Sequence, residues 1–254
     1  MFFIRTVAFY LFLIVFCILG PLFWLVWLVI RLFDRTAADR YILGLVKGLC
    51  RIGWFLAGTR VDARGTENIP DGAAVYALNH WSIFDIVIAY PFMKDRTGFI
   101  AKKSLGKIPF FSWWMKFMHC LFLDRENLRE GYKTIQEGID KVNSGISMAI
   151  FPEGTRNKDQ EDRYSLLEFK AGAFHLAEKS KAPVVPVVVQ NTSACMEDHM
   201  PWIKSANVRI TFLPAIETKD MDRKTLKALP ERVRQEMAEV LEGYRKEDEG
   251  AENA

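Results

Sequence analysis

Histidine is scarce in this chain: 254 residues contain four, His80, His119, His175 and His199. None has a second histidine at ligand spacing, so nothing points to a metal centre. Cysteine is equally sparse. Cys17, Cys50, Cys120 and Cys195 form no Cys-x-x-Cys pair, which leaves zinc and dithiol chemistry without support. Reduced, mostly buried thiols in a cytosol-facing protein fit better than a disulfide framework. A net charge of +3 is too small to argue for a nucleic-acid partner. There is no internal repeat, so solenoid and propeller arrays are set aside. What the chain does have is apolar residues, half of the total, against 26% charged. That balance supports the packed core of one domain with an appendage.

Charge is absent altogether from residues 6–30, TVAFYLFLIVFCILGPLFWLVWLVI. As a straight helix this run reaches about 37 Å, against about 30 Å for a bilayer core. It is too long for a cleavable signal peptide, and no small-x-small site follows it. Gly20-Pro21 near its middle predicts either a kink in a spanning helix or a reversal that dips into one leaflet. After it, Arg40, Lys47 and Arg51 recur at spacings of seven and four, one basic stripe on a helix. The stripe suits a helix at the headgroup level, with an ordinary amphipathic helix covering the soluble domain as the alternative. The excess of Arg and Lys after the run predicts a cell-membrane protein whose residues beyond 31 lie on the cytoplasmic face.

From about residue 60, short β-like runs alternate with helical ones. Strands are expected at 73–78, 98–102, 120–124, 147–151, 183–189 and 208–213, and helices at 126–143, 168–180 and 223–245. The pattern predicts an α/β fold, a β-sheet covered by helices, with reactive groups in loops beyond strand ends. Pro183 and Pro186 predict that the 183–189 strand lies at a sheet edge or that they mark a strand start. The expected division is an anchor over 1–58, a domain over 59–246 and a disordered acidic tail over 247–254.

Four stretches carry candidate chemistry. In NHWSIFD, His80 follows a strand and Asp85 follows five residues later. A straight helix would rotate the two apart by about 140°. A loop leading into a helix can instead let Asp85 accept the Nδ1 proton, leaving Nε2 as a base. The alternative is a helix start capped by Ser82 with a structural histidine. In IFPEGTR, Gly154 permits a turn with exposed amides, Thr155 adds a hydroxyl and Arg156 a fork that matches phosphate, while Glu153 holds the turn or Arg156. A solvated turn with an ion pair is the competing reading. Lys102, Lys103, Lys107 and Arg125 flank Phe110, Phe111, Trp113 and Trp114, a grouping suited to gripping a headgroup or, equally, a core helix with surface lysines. Lys170, in FKAGAFHLA, is a further phosphate contact to consider, while His175 reads as structural.

Together these blocks resemble the glycerolipid acyltransferases, most closely the bacterial 1-acylglycerol-3-phosphate acyltransferases. Asn79, His80 and Asp85 match Asn-His-x-x-x-x-Asp. Lys102, Leu105, Pro109, Asp124 and Arg125 match the second block, which departs from the family pattern at Ser104 and Cys120. Residues 151–156 match Phe-Pro-Glu-Gly-Thr-Arg without change, and Pro186 falls in the fourth block. The match runs from about residue 70 to 190, in order. The resemblance implies a mixed sheet of the glycerol-3-phosphate acyltransferase-like fold. It also implies acyl transfer from acyl-CoA or acyl carrier protein to the sn-2 hydroxyl of lysophosphatidic acid in the membrane, giving phosphatidic acid without a cofactor. His80 and Asp85 would be catalytic, and Lys102, Arg125, Glu153, Gly154, Thr155 and Arg156 would bind substrate. Acylation of another lysolipid or of glycerol 3-phosphate uses the same parts, and a lipid-binding module without chemistry is the alternative from another class.

Overall fold

Six apolar runs become six strands, and a seventh that no apolar run announces joins them. The structure, a computed structural model, describes residues 2–94 and 96–252. In chain order the expected strands are β2 (Val75–Leu78), β3 (Thr97–Lys102), β4 (Leu121–Leu123), β5 (Ser147–Ile150), β6 (Val184–Gln190) and β7 (Asn207–Phe212). The additional strand, β1 (Arg60–Arg64), reads RVDAR and pairs parallel with β7 at the sheet edge, where charged side chains reach water. The sheet order is β1-β7-β6-β2-β5-β3-β4, parallel throughout except between β6 and β7, so the sheet is mixed.

Strand periodicity divides the core in two. Tyr76 and Leu78 face one side, with the N-terminal helices α1 (Phe2–Phe33) and α2 (Arg35–Ala57) and with α3 (Phe84–Ala89) and α4 (Phe111–Phe117). Val75 and Ala77 face the other, against α5 (Leu128–Asn143), α6 (His175–Ser180) and α7 (Arg223–Glu252). A sheet covered on both faces needs apolar residues at every position of its central strands, which is why β2, β5 and β6 read as continuous runs.

Two expectations about elements are corrected. β6 is an interior strand, buried throughout, not an edge. Pro186 is tolerated there because its side of the strand meets the segment after β7, where its carbonyl accepts the Leu213 N–H and Ile216 pairs with Val184. The helix expected over 168–180 is α-helical only from His175, after a 3₁₀ turn at Ala171–Phe174. The tail is a third correction. α7 continues to Glu252, with Glu247 held by Arg64 and Arg209 and Asp248 by Arg209 and Tyr164; residues 253–254 lie outside the described residues.

The charge-free run folds as one helix through Gly20-Pro21. Gly20 is needed for packing: a Cβ there would lie 2.5 Å from the Phe110 ring. Phe16 and Trp24, one turn to either side, pack at tilted and edge-on angles against Trp114 and Phe110 and hold the helix across the missing proline N–H. Asp34 then reverses the chain by accepting the Thr36 and Ala37 N–H groups. α2 returns antiparallel, so that Gly53 late in α2 meets Phe9 early in α1. The basic stripe of α2 does not all face headgroups. Lys47 is buried, its ammonium donating to the Met93 carbonyl at 2.6 Å, and Arg51 reaches the Pro91 carbonyl. α2 therefore covers the domain, the alternative left open by the sequence.

α1 is docked along its length: Phe2 on Trp202, Thr6 bonded to the Ile203 N–H, Phe9 on Phe84, Trp27 on Phe117. Its outward face is a stripe of Ile4, Val7, Leu11, Ile14, Ile18, Leu22, Leu25, Val29 and Leu32, all exposed, Ile18 to 70%. The helix is long and apolar enough to cross a membrane.

Candidate active site

β2 ends at Leu78, and Asn79 extends its pairing with side-chain atoms. Asn79 Nδ2 donates to the Val189 carbonyl and its Oδ1 accepts the Val189 N–H, both at 2.8 Å. The chain leaves the sheet there, and α3 begins only at Phe84. Residues 80–83 are thus a loop, so the helical separation of His80 and Asp85 does not apply. Asp85, fully buried, reaches back over the loop. Its Oδ2 accepts from His80 Nδ1 at 2.8 Å, the Trp81 N–H at 2.7 Å and the Ser82 N–H at 2.9 Å, and its Oδ1 accepts the Thr192 hydroxyl. A carboxylate can only accept, so the proton sits on Nδ1 and Nε2 presents a lone pair. The ring stacks on Phe151 with centroids 4.0 Å apart, and its side chain keeps 19% of its surface open. Ser82 does cap the helix start, accepting the Phe84 N–H at 2.9 Å, so the capping and pairing readings describe one loop.

The IFPEGTR turn closes on the same histidine. Glu153 Oε1 accepts the His80 N–H at 2.8 Å and Oε2 the Leu167 N–H at 3.2 Å, while the His80 carbonyl accepts the Asn157 N–H at 2.6 Å. Glu153 is buried, and burial pushes its carboxyl up to about 7. It holds the turn; Arg156 is held elsewhere, by Glu197. Gly154, at φ +72°, makes the turn, but its own N–H is bonded to the Phe151 carbonyl, so that amide is not exposed as expected. Arg125 donates to the Gly154 carbonyl, and Lys170 lies so close over the glycine that a Cβ would sit 2.9 Å from its ammonium. Arg156 ends the turn, with its side chain 40% exposed and paired to Glu197 at 3.2 Å. Thr155 is exposed on it. Lys102 ends β3 in solvent, and its neighbour Lys103 is paired to Asp124 at 2.7 Å. Phe110, Trp113 and Trp114 all pack on α1, Trp113 while half exposed, and Phe111 is half exposed as well.

Two participants were not visible in the sequence. Thr192 closes the fourth hydrogen bond to Asp85. Glu197 bonds the Ser82 hydroxyl at 2.5 Å, the Ile83 N–H at 2.8 Å and Arg156 at 3.2 Å. Neither stands in a block with a recognisable spacing. Two other histidines have partners of their own: His119 faces Asp39 at 3.8 Å with its ring pushed toward neutrality by burial, and His175 pairs with Glu178.

Residues 60–190 match the family model described as Acyltransferase, a span that contains β1–β6, His80, Asp85 and the IFPEGTR turn. The chain belongs to the acyltransferase family. It is similar to the 1-acyl-sn-glycerol-3-phosphate acyltransferase of Saccharomyces cerevisiae, 33% identical over 192 residues, which cover 74% of this chain and 63% of the yeast protein. It is also 31% identical over 194 residues to the Escherichia coli protein of the same name, covering 76% of this chain and 77% of that one. Among solved structures, the 1-acyl-sn-glycerophosphate (LPA) acyltransferase PlsC of Thermotoga maritima superposes with a TM-score of 0.79 at 26% identity, over 94% of this chain and 95% of that chain. The superposition takes in the mixed sheet and the long N-terminal helix of this acyltransferase. Thr192 and Glu197 fall just beyond the span of the family match.

Proposed function

We propose that this acyltransferase moves an acyl group from acyl-CoA or acyl carrier protein to the sn-2 hydroxyl of 1-acyl-sn-glycerol 3-phosphate, giving phosphatidic acid at a membrane surface. The observation that carries the reading is the His80–Asp85 bond, beside a turn that Arg125 and Lys170 touch and that ends in Arg156. An alcohol is a poor nucleophile at neutral pH and needs a base as it attacks. His80 Nε2 takes the hydroxyl proton while the oxygen bonds to the thioester carbonyl carbon, and Asp85 stabilises the imidazolium that forms. The tetrahedral intermediate then breaks its C–S bond, and the proton held on Nε2 passes to the departing thiolate.

Direct transfer is supported by the state of the other nucleophiles. Ser82 is engaged with Glu197, and burial pushes the thiols of Cys120 and Cys195 up to about 12 and about 11. Arg156 supplies a planar fork for the acceptor phosphate, with Arg125, Lys170 and Lys102 adding positive charge and Thr155 a hydroxyl. Glu153 and Gly154 shape the turn that places them.

The outward stripe of α1 supports membrane engagement along one leaflet, since the domain touches this helix from Phe2 to Trp27 and a perpendicular span would pull it away. The excess of cations after the helix favours the cytoplasmic face. The test is to offer purified protein a panel of lysolipids with both donor types and to identify products by mass. Phosphatidic acid from lysophosphatidic acid is expected. Preference for a lysolipid without a phosphate monoester, for glycerol 3-phosphate, or no transfer at all contradicts the proposal.

A further inference from the structure

Glu197 stands outside every block that the sequence singled out, yet it ties two of them together. It sits in a 3₁₀ turn, Glu197–His199, 115 residues from Ser82 and 41 from Arg156. Its Oε2 accepts the Ser82 hydroxyl at 2.5 Å. Its Oε1 accepts both the Ile83 N–H at 2.8 Å and Arg156 Nη1 at 3.2 Å. Ser82 in turn donates its N–H to Asp85 Oδ2, the oxygen that holds His80. One carboxylate therefore spans the loop of the base and the guanidinium of the fork, with its side chain only 16% exposed.

The geometry of the guanidinium decides what this contact does. Arg presents five N–H donors in a rigid plane, and Glu197 meets it through Nη1 alone. A single-nitrogen contact fixes the plane and leaves the remaining donors to a ligand; a bidentate grip would have consumed the fork. The long, flexible arginine stem has no fixed aim without such a partner. Resting on the reading of Arg156 as the phosphate fork, we infer that Glu197 is a positioning residue. It sets the distance between the acceptor phosphate and the base, by holding Arg156 to the loop that carries His80. Since the acceptor's hydroxyl and phosphate belong to one short glycerol unit, that distance selects the molecule whose free hydroxyl reaches Nε2.

The experiment is a double-variant cycle on the full-length protein in detergent or vesicles: Glu197→Ala, Glu197→Gln, Arg156→Ala and the pair Glu197→Ala with Arg156→Ala, with kcat and KM for lysophosphatidic acid measured in each. Glu197→Ala is expected to raise KM about tenfold, the scale of losing one charge-assisted contact. Glu197→Gln keeps an oxygen for Ile83 and Arg156 and an amide toward Ser82, so it should restore KM to within about threefold while showing that the fold survives. In the Arg156→Ala background the Glu197→Ala effect on KM should vanish, because no fork remains to aim. If Arg156→Ala raises KM but Glu197→Ala leaves it unchanged, or multiplies it equally in both backgrounds, Glu197 does not position the fork. If Arg156→Ala itself leaves KM unchanged, the phosphate reading falls, and this inference with it.

Discussion

Asp85 satisfies four donors with two oxygens, and that count explains why a five-residue spacing yields a hydrogen-bonded His–Asp pair. The backbone amides of Trp81 and Ser82 bring the loop to the carboxylate, so His80 needs no helical register to meet it. Asp85→Asn can keep this geometry by turning its amide nitrogen toward Thr192, but it removes the charge that stabilises the imidazolium. We expect kcat to fall by about a hundredfold or more with little change in Tm; a variant with near-normal kcat would show that the charge is not used. Glu153 makes a second prediction. Its carboxyl is raised by burial to about 7 from an ordinary 4.5, so the native state binds more protons than the unfolded chain between those values. The stability it contributes is therefore full below the ordinary value and declines as pH rises through about 7. Melting curves from pH 5 to 8 should show a steeper loss for the native protein than for Glu153→Gln, and parallel curves would contradict this. His80 and Asp85 could be read in the sequence because they stand five residues apart, and the IFPEGTR turn because it is one contiguous block. Thr192 and Glu197 could not, because their partners stand 107 and 115 residues away and only the fold brings them near.

At the scale of elements, apolar runs made six strands legible, while β1 escaped because an edge strand carries charge without penalty. Pro183 does mark the start of β6, but the edge reading failed for a related reason: Pro186 needs one unpaired position, and an interior strand offers it where a neighbouring ladder has not begun. Gly20-Pro21 reads as an interruption, yet the helix runs on through it, with Gly20 against the Phe110 ring and Trp24 packed on the same ring. Gly20→Ala would drive a methyl group into that ring. Overpacking of this kind costs about 1–3 kcal/mol, which in a chain of this size lowers Tm by several degrees. An unchanged Tm would mean that α1 is not held at this point. The charged tail looked too polar to fold, but its acids had basic partners on β1 and β7 that local composition does not reveal.

The whole molecule places the apolar helix α1 and an open imidazole on the same side of the sheet, since α1 packs against α3, which carries Asp85, and against α4. On the proposed function, an acceptor held in the bilayer and a donor arriving from water would meet there without either leaving its phase. Charging the outward stripe, as in Ile14→Lys with Ile18→Lys, should release the protein from vesicles in a flotation assay while the soluble domain stays folded; unchanged flotation would assign membrane binding to another surface. The central claim, that one imidazole oriented by Asp85 removes the acceptor's proton, is tested most directly by thioester-dependent acylation of lysophosphatidic acid by His80→Ala, in protein shown by circular dichroism and flotation to be folded and membrane-bound. The account predicts a loss of turnover of at least about a hundredfold. Turnover close to that of the native protein would contradict it.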